Sequence, residues 1–339
     1  MGWFAAIGRP LFFSMDPERA HRVALALLGW PLPWGRIGGA ADDPALATKL
    51  AGIELANPIG LAAGFDKSGR RLDSLGALGF GYVVGGTVTR DPRAGNAHPR
   101  IARNRPREAI VNAMGLPNPG AEAAAANLRK TRRTAPRLAS LADEATEDAV
   151  AAAALLDPWV DGFELNASSP NAGWDHGAAH VTDVVRALAT TTGKPVVVKL
   201  PPFVSDEERS GVVAMAVGAA EAGAAGLTCS NTRPVQDPRM PDGQGGLSGR
   251  PLTADTPSVV ARVRAETGSE LPVSACGGIF TPDDAWACLE AGAATVQVYT
   301  GLIYRGPGIV GELTSGLSKR LRRQGIALAD LVGTAKPDA

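Results

Sequence analysis

The run FELNASSPNAGW, residues 163–174, leaves an apolar stretch and presents Asn166, Ser168, Ser169, Pro170 and Asn171 within six positions. No histidine or cysteine stands among them, so any proton transfer here falls to a hydroxyl, a poor base at neutral pH unless it hands its own proton on. Pro170 disfavours helical geometry at Ser169 and biases it toward an extended presentation. Lysine is scarce, seven residues against twenty-seven arginines, yet Lys67 and Lys199 each follow an apolar run. A lysine just past a strand can snorkel to solvent; Lys199 closes VVVKL directly and is better placed to aim its ammonium inward. Downstream, ACGGIF and VQVYTGLIYRGPG join glycines to a following helical stretch. That pattern offers backbone N–H groups to a phosphate, although the same glycines also serve as plain turns. Two lysines, several asparagines and a phosphate subsite, without a catalytic histidine or a metal cluster, point to redox chemistry carried by a cofactor, with a flavin the natural candidate.

These groups need a scaffold that brings them together. From about residue 50 the chain repeats a short apolar or Gly-rich run ending in polar residues, then an Ala-rich stretch of helical periodicity. The runs are NPIGLAAG, GFGYVVGG, PRLASL, DGFELNAS, PVVVKL, AGLTCSN, PVSACGG and ATVQVYT. Candidate helices lie between them: AEAAAANLRK, VTDVVRALATT, SDEERSGVVAMAVGAAEAG and TPDDAWACLEAG, the last two with Ser205 and Thr281 as N-caps. Eight apolar runs alternating with helices predict a (β/α)8 TIM barrel, whose chemistry sits at the C-terminal strand ends. A doubly wound sheet fits the alternation too, but lacks here the Gly-x-Gly-x-x-Gly turn after its first strand.

Composition narrows the setting. The 339 residues carry a formal net charge of zero, so no wholesale field draws nucleic acid. Three cysteines, Cys229, Cys276 and Cys288, lack paired metal-ligand spacing, which argues for a reducing, cytosolic compartment and no structural metal. The N-terminal stretch is broken by Arg9, Pro10, Asp16 and Arg19 and does not read as a membrane span or a signal peptide. Phe4, Ile7 and Leu11 fall at helical spacing, and the run Val23 to Leu28 ends beside Trp30 and Trp34. Two readings stand: a helix pair packed on the main domain, or a surface that docks on a membrane. The expected organisation is a helical extension over 1–40, a barrel over 41–325 and a C-terminal tail over 326–339.

The motifs NPIGLAAGFDKSG, GTVTRDPRAGNAHPRI, NAMGLPN, NASSPN, VVVKL, SNT, GGLSGRPL and VQVYTGLIYRGP, in this order, resemble the FMN-dependent dihydroorotate dehydrogenases of pyrimidine synthesis. The resemblance runs from about Asp16 to about Leu317. In that family the residue that removes the proton from substrate C5 is cysteine in the soluble class and serine in the membrane-associated, quinone-reducing class. The serine here, with DPERAH at 16–21, is similar to the second. The resemblance implies Ser169 as base and Asn166 and Asn171 as substrate ligands, with Lys67, Asn112, Met114, Gly115, Leu116, Asn231 and Thr232 completing the dihydroorotate site. It implies FMN held by Ala63, Gly64, Lys67, Thr87, Ser140, Asn166, Lys199, Ser230, Gly249, Gly278, Tyr299 and Thr300. It also implies a quinone route lined by His21, Phe65, Arg103 and Leu302, and a peripheral position on the cytoplasmic face of the cell membrane. His21 has an alternative reading as a residue that packs or caps a helix, and Arg103 as surface charge.

Two segments depart from the family pattern. ASLADE stands where relatives carry a flavin-contacting asparagine followed by Gly-Lys-Asn, so that Ser140 takes the asparagine position and Asp143 and Glu144 follow. Facing the flavin, those carboxylates would oppose its anionic reduced form; facing solvent, they would matter little. NAMGLPN has Ala113 and Leu116 where the quinone class has arginine and phenylalanine. A related FMN oxidoreductase with another dihydropyrimidine or acceptor, and a flavin-binding paralogue without turnover, therefore remain alternatives.

Overall fold

The computed structural model describes residues 4–168, 177–203 and 205–335. Eight parallel strands, Ile59–Leu61, Tyr82–Val88, Arg137–Leu141, Gly162–Asn166, Val196–Lys199, Gly226–Cys229, Val273–Cys276 and Ala293–Val298, close into a barrel in chain order. Six lie within the apolar runs, and the second and eighth overlap theirs, extending to Val88 and starting at Ala293. The third and fourth strands are buried at every residue, as a sheet covered by helices outside and filled by side chains inside requires. The expected helices form over Ala121–Leu128, Ala178–Thr191, Asp206–Glu221 and Pro282–Glu290. Ser205 and Thr281 cap the last two, accepting from the backbone N–H of Glu208 and Asp284 at 3.2 and 3.3 Å in reciprocal capping boxes.

Because side chains alternate along a strand, every second residue points into the barrel and the inward residues stack in layers. The lowest polar layer sets the Tyr82 hydroxyl 2.8 Å from Ser274 Oγ and 3.0 Å from Thr295 Oγ1. Gly60 leaves room for that ring: a Cβ there would stand 2.3 Å from it. Glu164, Thr228 and Gln297 form the next layer, and Asn166 and Lys199, paired across neighbouring strands, reach the strand ends above it.

Two β-elements lie outside the repeated pattern. A hairpin, Thr48–Leu50 with Ile53–Leu55, packs Leu50 and Leu55 against Tyr82, Val84, Leu138 and Val197 at the end where the strands begin. Insertions after the second and sixth barrel strands build an antiparallel sheet of Ile101–Asn104, Ala109–Asn112, Gln244–Gly249 and Arg233–Gln236. Its strands are short, and Asn112 pairs with Gly246 across 134 residues, a contact without local periodic signal.

The N-terminal segment folds as helices Arg9–Ser14, Pro17–Leu28 and Trp34–Gly38. Asp16 caps the second, its Oδ1 accepting from the N–H of Glu18 and Arg19 at 3.0 Å each, and Pro17 occupies the first helical position. That helix docks on the loop after the first barrel strand and on the helix Leu72–Ala77 that follows it, where Arg71 Nε donates to Leu25 O at 3.0 Å and Ser74 Oγ to Leu28 O at 2.6 Å. The packing leaves Ile7, Leu11, Trp30 and Leu32 exposed at 69, 57, 61 and 42%. Among the described residues no helix is long and apolar enough to cross a membrane. At the other terminus, Leu328 and Leu331 are buried, and the backbone N–H groups of Gly333 and Ala335 donate to Leu289 and Glu290. The segment expected as a tail is therefore packed as far as Ala335.

Candidate active site

A continuous cavity of about 420 Å³ opens at the C-terminal ends of the barrel strands and continues beneath the N-terminal helices. Its inner wall is polar. Asn166 Nδ2 donates to Thr87 Oγ1 at 3.1 Å, and Asn231 Nδ2 lies 3.2 Å from Asn166 Oδ1 and 2.9 Å from Ser168 Oγ. Asn112 enters from the antiparallel sheet, donating to Gly246 O at 3.3 Å, and Thr232 N–H donates to Asn231 Oδ1 at 2.8 Å. These amides hold one another in place while remaining on the cavity wall, a preorganised set of donors and acceptors.

Lys67 closes one side. Its ammonium donates to Gly64 O at 2.7 Å, and burial, with the Arg100 guanidinium nearby, brings it down to about 8. Lys199 lies at the floor, 6% exposed. The one carboxylate on the described wall, Glu18, is engaged by Arg100 at 2.8 Å, and Glu164 stands 3.8 Å from Lys199 behind the wall, so the wall itself presents the ammonium groups of Lys67 and Lys199. That charge balance fits an anionic occupant.

Met114, Gly115 and Leu116 also reach the wall, on a turn where Gly115 and Leu116 both take positive φ, 68° and 56°. Ala63, Gly64, Ser230, Gly249, Gly278, Tyr299 and Thr300 line the remainder of the inner half. Gly278 has φ of 69°, and a Cβ there would meet Thr253 N at 2.3 Å; the seventh loop is thus closed to any other residue. Thr300 begins the short helix Thr300–Arg305, its Oγ1 bonded to Ser248 Oγ at 2.9 Å. Glycine backbone, a hydroxyl and two ammonium groups lining one cavity fit a phosphate-bearing ring cofactor in their donor chemistry.

Ser140 is the exception among the expected cofactor ligands. It is fully buried behind Thr87, 2.9 Å from its Oγ1, and does not reach the cavity wall. The carboxylates after it also stay off that wall. Asp143 accepts from the Arg90 backbone N–H at 3.1 and 3.3 Å, and Glu144 is exposed. Burial, with Asp148 and Asp91 nearby, pushes Asp143 up to about 7 despite that bond.

Along the outward route, His21, Phe65 and Tyr299 form a ladder, with centroids 5.0 Å apart between the first pair and 5.8 Å between the second. Burial and the Lys67 ammonium bring the His21 imidazole down to about 4, so it is neutral near pH 7. Arg103 is tied to the N-terminal helices, donating to Phe12 O at 3.4 Å and Met15 O at 3.0 Å with its guanidinium 4.6 Å from the Phe13 ring centroid. Leu302 completes this wall. Ser169 and Asn171 lie outside the described residues.

Four further groups belong to the site or its support: Arg100, Glu164, Cys276 and Gln297. The quoted motifs give no functional signal for Arg100, Cys276 or Gln297. Glu164 does carry one, as a carboxylate in the middle of an apolar strand two positions before Asn166, hence on the same inward face.

The family model for dihydroorotate dehydrogenase matches residues 45–321. Curated relatives called dihydroorotate dehydrogenase (quinone) include one from Rhodospirillum rubrum, 38% identical over 97% of this chain and 94% of its own. Another, from Deinococcus deserti, is 39% identical over 96% and 98%. Among solved structures, a DHODH from Eimeria tenella in complex with ferulenol superposes with a TM-score of 0.82 at 29% identity, covering 94% of this chain and 95% of its own. A matching family model over most of the length, full-length relatives and a shared barrel agree: the chain belongs to the dihydroorotate dehydrogenase family.

Proposed function

We propose that the protein oxidises dihydroorotate to orotate in pyrimidine biosynthesis, with FMN as hydride acceptor and a quinone as the final electron acceptor. One observation carries this reading: the asparagine-lined chamber and the apolar passage under the N-terminal helices are parts of one continuous cavity. A polar, anionic substrate and a lipophilic one thereby reach a common centre from opposite surroundings.

Bound FMN supplies acceptance of hydride from substrate C6 and release of the electrons to the quinone. The chain's own residues do the rest. Lys67 pairs with the substrate carboxylate, and Asn112, Asn166, Asn171 and Asn231 match the ring amides. An analogue lacking those groups would leave buried amides unpaired, which excludes it by energy as well as shape. Ser169 removes the C5 proton; Ser168 and Thr232 are the neighbouring hydroxyls available to carry it onward. Lys199 and the backbone around Gly249, Gly278 and Thr300 hold the cofactor's polar groups. His21, Phe65, Arg103 and Leu302 line the quinone route. The exposed Ile7, Leu11, Trp30 and Leu32 supply an apolar face for peripheral docking on the cytoplasmic side of the membrane.

The test is anaerobic addition of dihydroorotate to the yellow purified protein. Bleaching of the flavin absorbance, followed by reoxidation with a quinone but not with fumarate or NAD, is the expected result; absence of bleaching overturns the reading. Ser169→Ala should keep FMN bound and slow bleaching by orders of magnitude, and near-normal bleaching would remove Ser169 from the role of base.

A further inference from the structure

We propose that Glu164 is a positioning residue that supplies the counter-charge for Lys199, the cation assigned to the flavin, and fixes the Gln297 amide facing that lysine. Glu164 has no solvent exposure and sits on an otherwise apolar strand. Its Oε2 accepts from Thr228 Oγ1 at 2.9 Å and from Gln297 Nε2 at 2.8 Å. Its Oε1 makes no hydrogen bond among the described residues and stands 3.8 Å from Lys199 Nζ.

A buried carboxylate costs several kcal/mol in desolvation, and a well-packed apolar side chain commonly serves stability as well. The barrel therefore has no packing need for this charge, and its unbonded oxygen lies beside the lysine. The carboxylate also orients the amide. Being acceptor-only when ionised, it takes the Gln297 NH2 group and leaves Gln297 Oε1 toward Lys199 Nζ at 3.5 Å.

The titratable groups acting on Lys199 are Glu164 from the fourth strand and Cys276 from the seventh; the sixth and eighth strands contribute neutral Thr228 and Gln297. Burial alone lowers Lys199, and Cys276 and Glu164 together return it above its ordinary value. Burial also raises the Cys276 thiol, which is therefore uncharged near neutral pH. That leaves Glu164 as the formal counter-charge. Without it, desolvation acts on Lys199 unopposed and the ammonium loses its proton at a lower pH.

This inference rests on the FMN reading above, and its test separates the two. Wild type, Glu164→Gln and Glu164→Gln with Lys199→Met are compared as FMN-loaded proteins, with the flavin midpoint potential measured from about pH 6 to 9, a range that spans a lysine lowered by burial. The Glu164→Gln protein should retain FMN and show a higher potential at the acid end, because the cation is then uncompensated. It should also show a break in slope where Lys199 deprotonates, absent from wild type and from the double variant. Profiles of wild type and Glu164→Gln that superimpose, or a break that persists without Lys199, overturn the inference. Should Glu164→Gln not fold, the reciprocal pair decides: Lys199→Met should lower the Tm, and adding Glu164→Leu should restore it, whereas no recovery overturns the coupling. A purified wild-type protein that binds no FMN sinks the flavin reading and leaves the thermal coupling to be judged separately.

Discussion

At the inner end of the cavity Asn112, Asn166, Asn231 and Lys67 surround the space with donors and acceptors; at the outer end Phe12, Phe13, Ala24, Leu27 and Leu28 present almost none. The inner groups are bonded to one another or to backbone, so their orientations are set before anything binds. The apolar outer side chains belong to helices that the barrel holds by polar ties, among them Arg100 to Glu18, Arg71 to Leu25 O and Arg103 to Met15 O. A hydrogen-bonded polar end selects by hydrogen-bond complementarity, and an apolar end accepts by exclusion of water. On the roles proposed above, the contrast assigns specificity for the two substrates to different physics within one cavity.

Variants at the two ends should therefore separate the two half-reactions, and the largest effect is expected at the inner end. Lys67→Met removes the cation assigned to the substrate carboxylate. A truncated buried charge pair costs about 2–5 kcal/mol, so kcat/KM for dihydroorotate should fall roughly 30- to 1,000-fold or more while reoxidation of pre-reduced enzyme by quinone stays close to wild type. Equal losses in both half-reactions would erase the distinction. Asn231→Ala leaves Asn166 and Ser168 short of a partner, at about 1–3 kcal/mol, and should slow anaerobic flavin reduction by roughly 5- to 150-fold in a stopped-flow measurement.

The converse variant is Ala24→Asp, which sets a carboxylate in the apolar passage. It should slow quinone reoxidation about tenfold or more and leave flavin reduction by dihydroorotate unchanged. A slowed reductive half-reaction would show that the ends are mechanically coupled.

The pH response gives a smaller and more selective effect. With Lys67 brought down to about 8, its charge is present below that pH and lost above it. KM for anionic dihydroorotate should thus rise as pH passes through about 8, with the KM for quinone flat over the same range. Bound carboxylate favours the ammonium, so any fall in kcat should be displaced to higher pH than the fall in kcat/KM. The smallest effect is expected at Trp30→Ser, on the exposed apolar face: partitioning onto anionic vesicles, read by sedimentation, should fall by at most about tenfold, with both half-reactions in detergent unaltered.

Much of this architecture is legible in the chain itself. All eight barrel strands overlap the apolar runs, six of them lying wholly inside, because a parallel sheet buried on both faces must be written in contiguous apolar residues. The capped starts of the helices after Ser205 and Thr281 are equally local, since a hydroxyl three residues before an acidic side chain satisfies its own turn. The antiparallel sheet beside the mouth was not legible: the hairpins of IARN with AIVN and of RPVQ with QGGLSG are joined into one sheet only where AIVN pairs with QGGLSG, more than a hundred residues away. Arg103 shows the same limit. Its ambiguity between surface charge and cavity wall is settled by Phe12, Phe13 and Met15, far off in sequence. Ser140 shows the reverse, a strand-end hydroxyl one layer behind the wall because Thr87 stands in front of it.

The sequence by itself determined the barrel, the strand ends that carry Lys67, Asn166, Lys199, Asn231 and Gly278, and an amphipathic N-terminal segment, since periodicity, capping and turn chemistry act over a few residues. Only the tertiary structure decided that Asp143 and Glu144 stay off the cavity wall, that Glu164 faces Lys199, and that a polar chamber runs on into an apolar passage. Those outcomes depend on distance, burial and local dielectric between groups brought together by closure of the barrel, and these are properties of the folded chain alone.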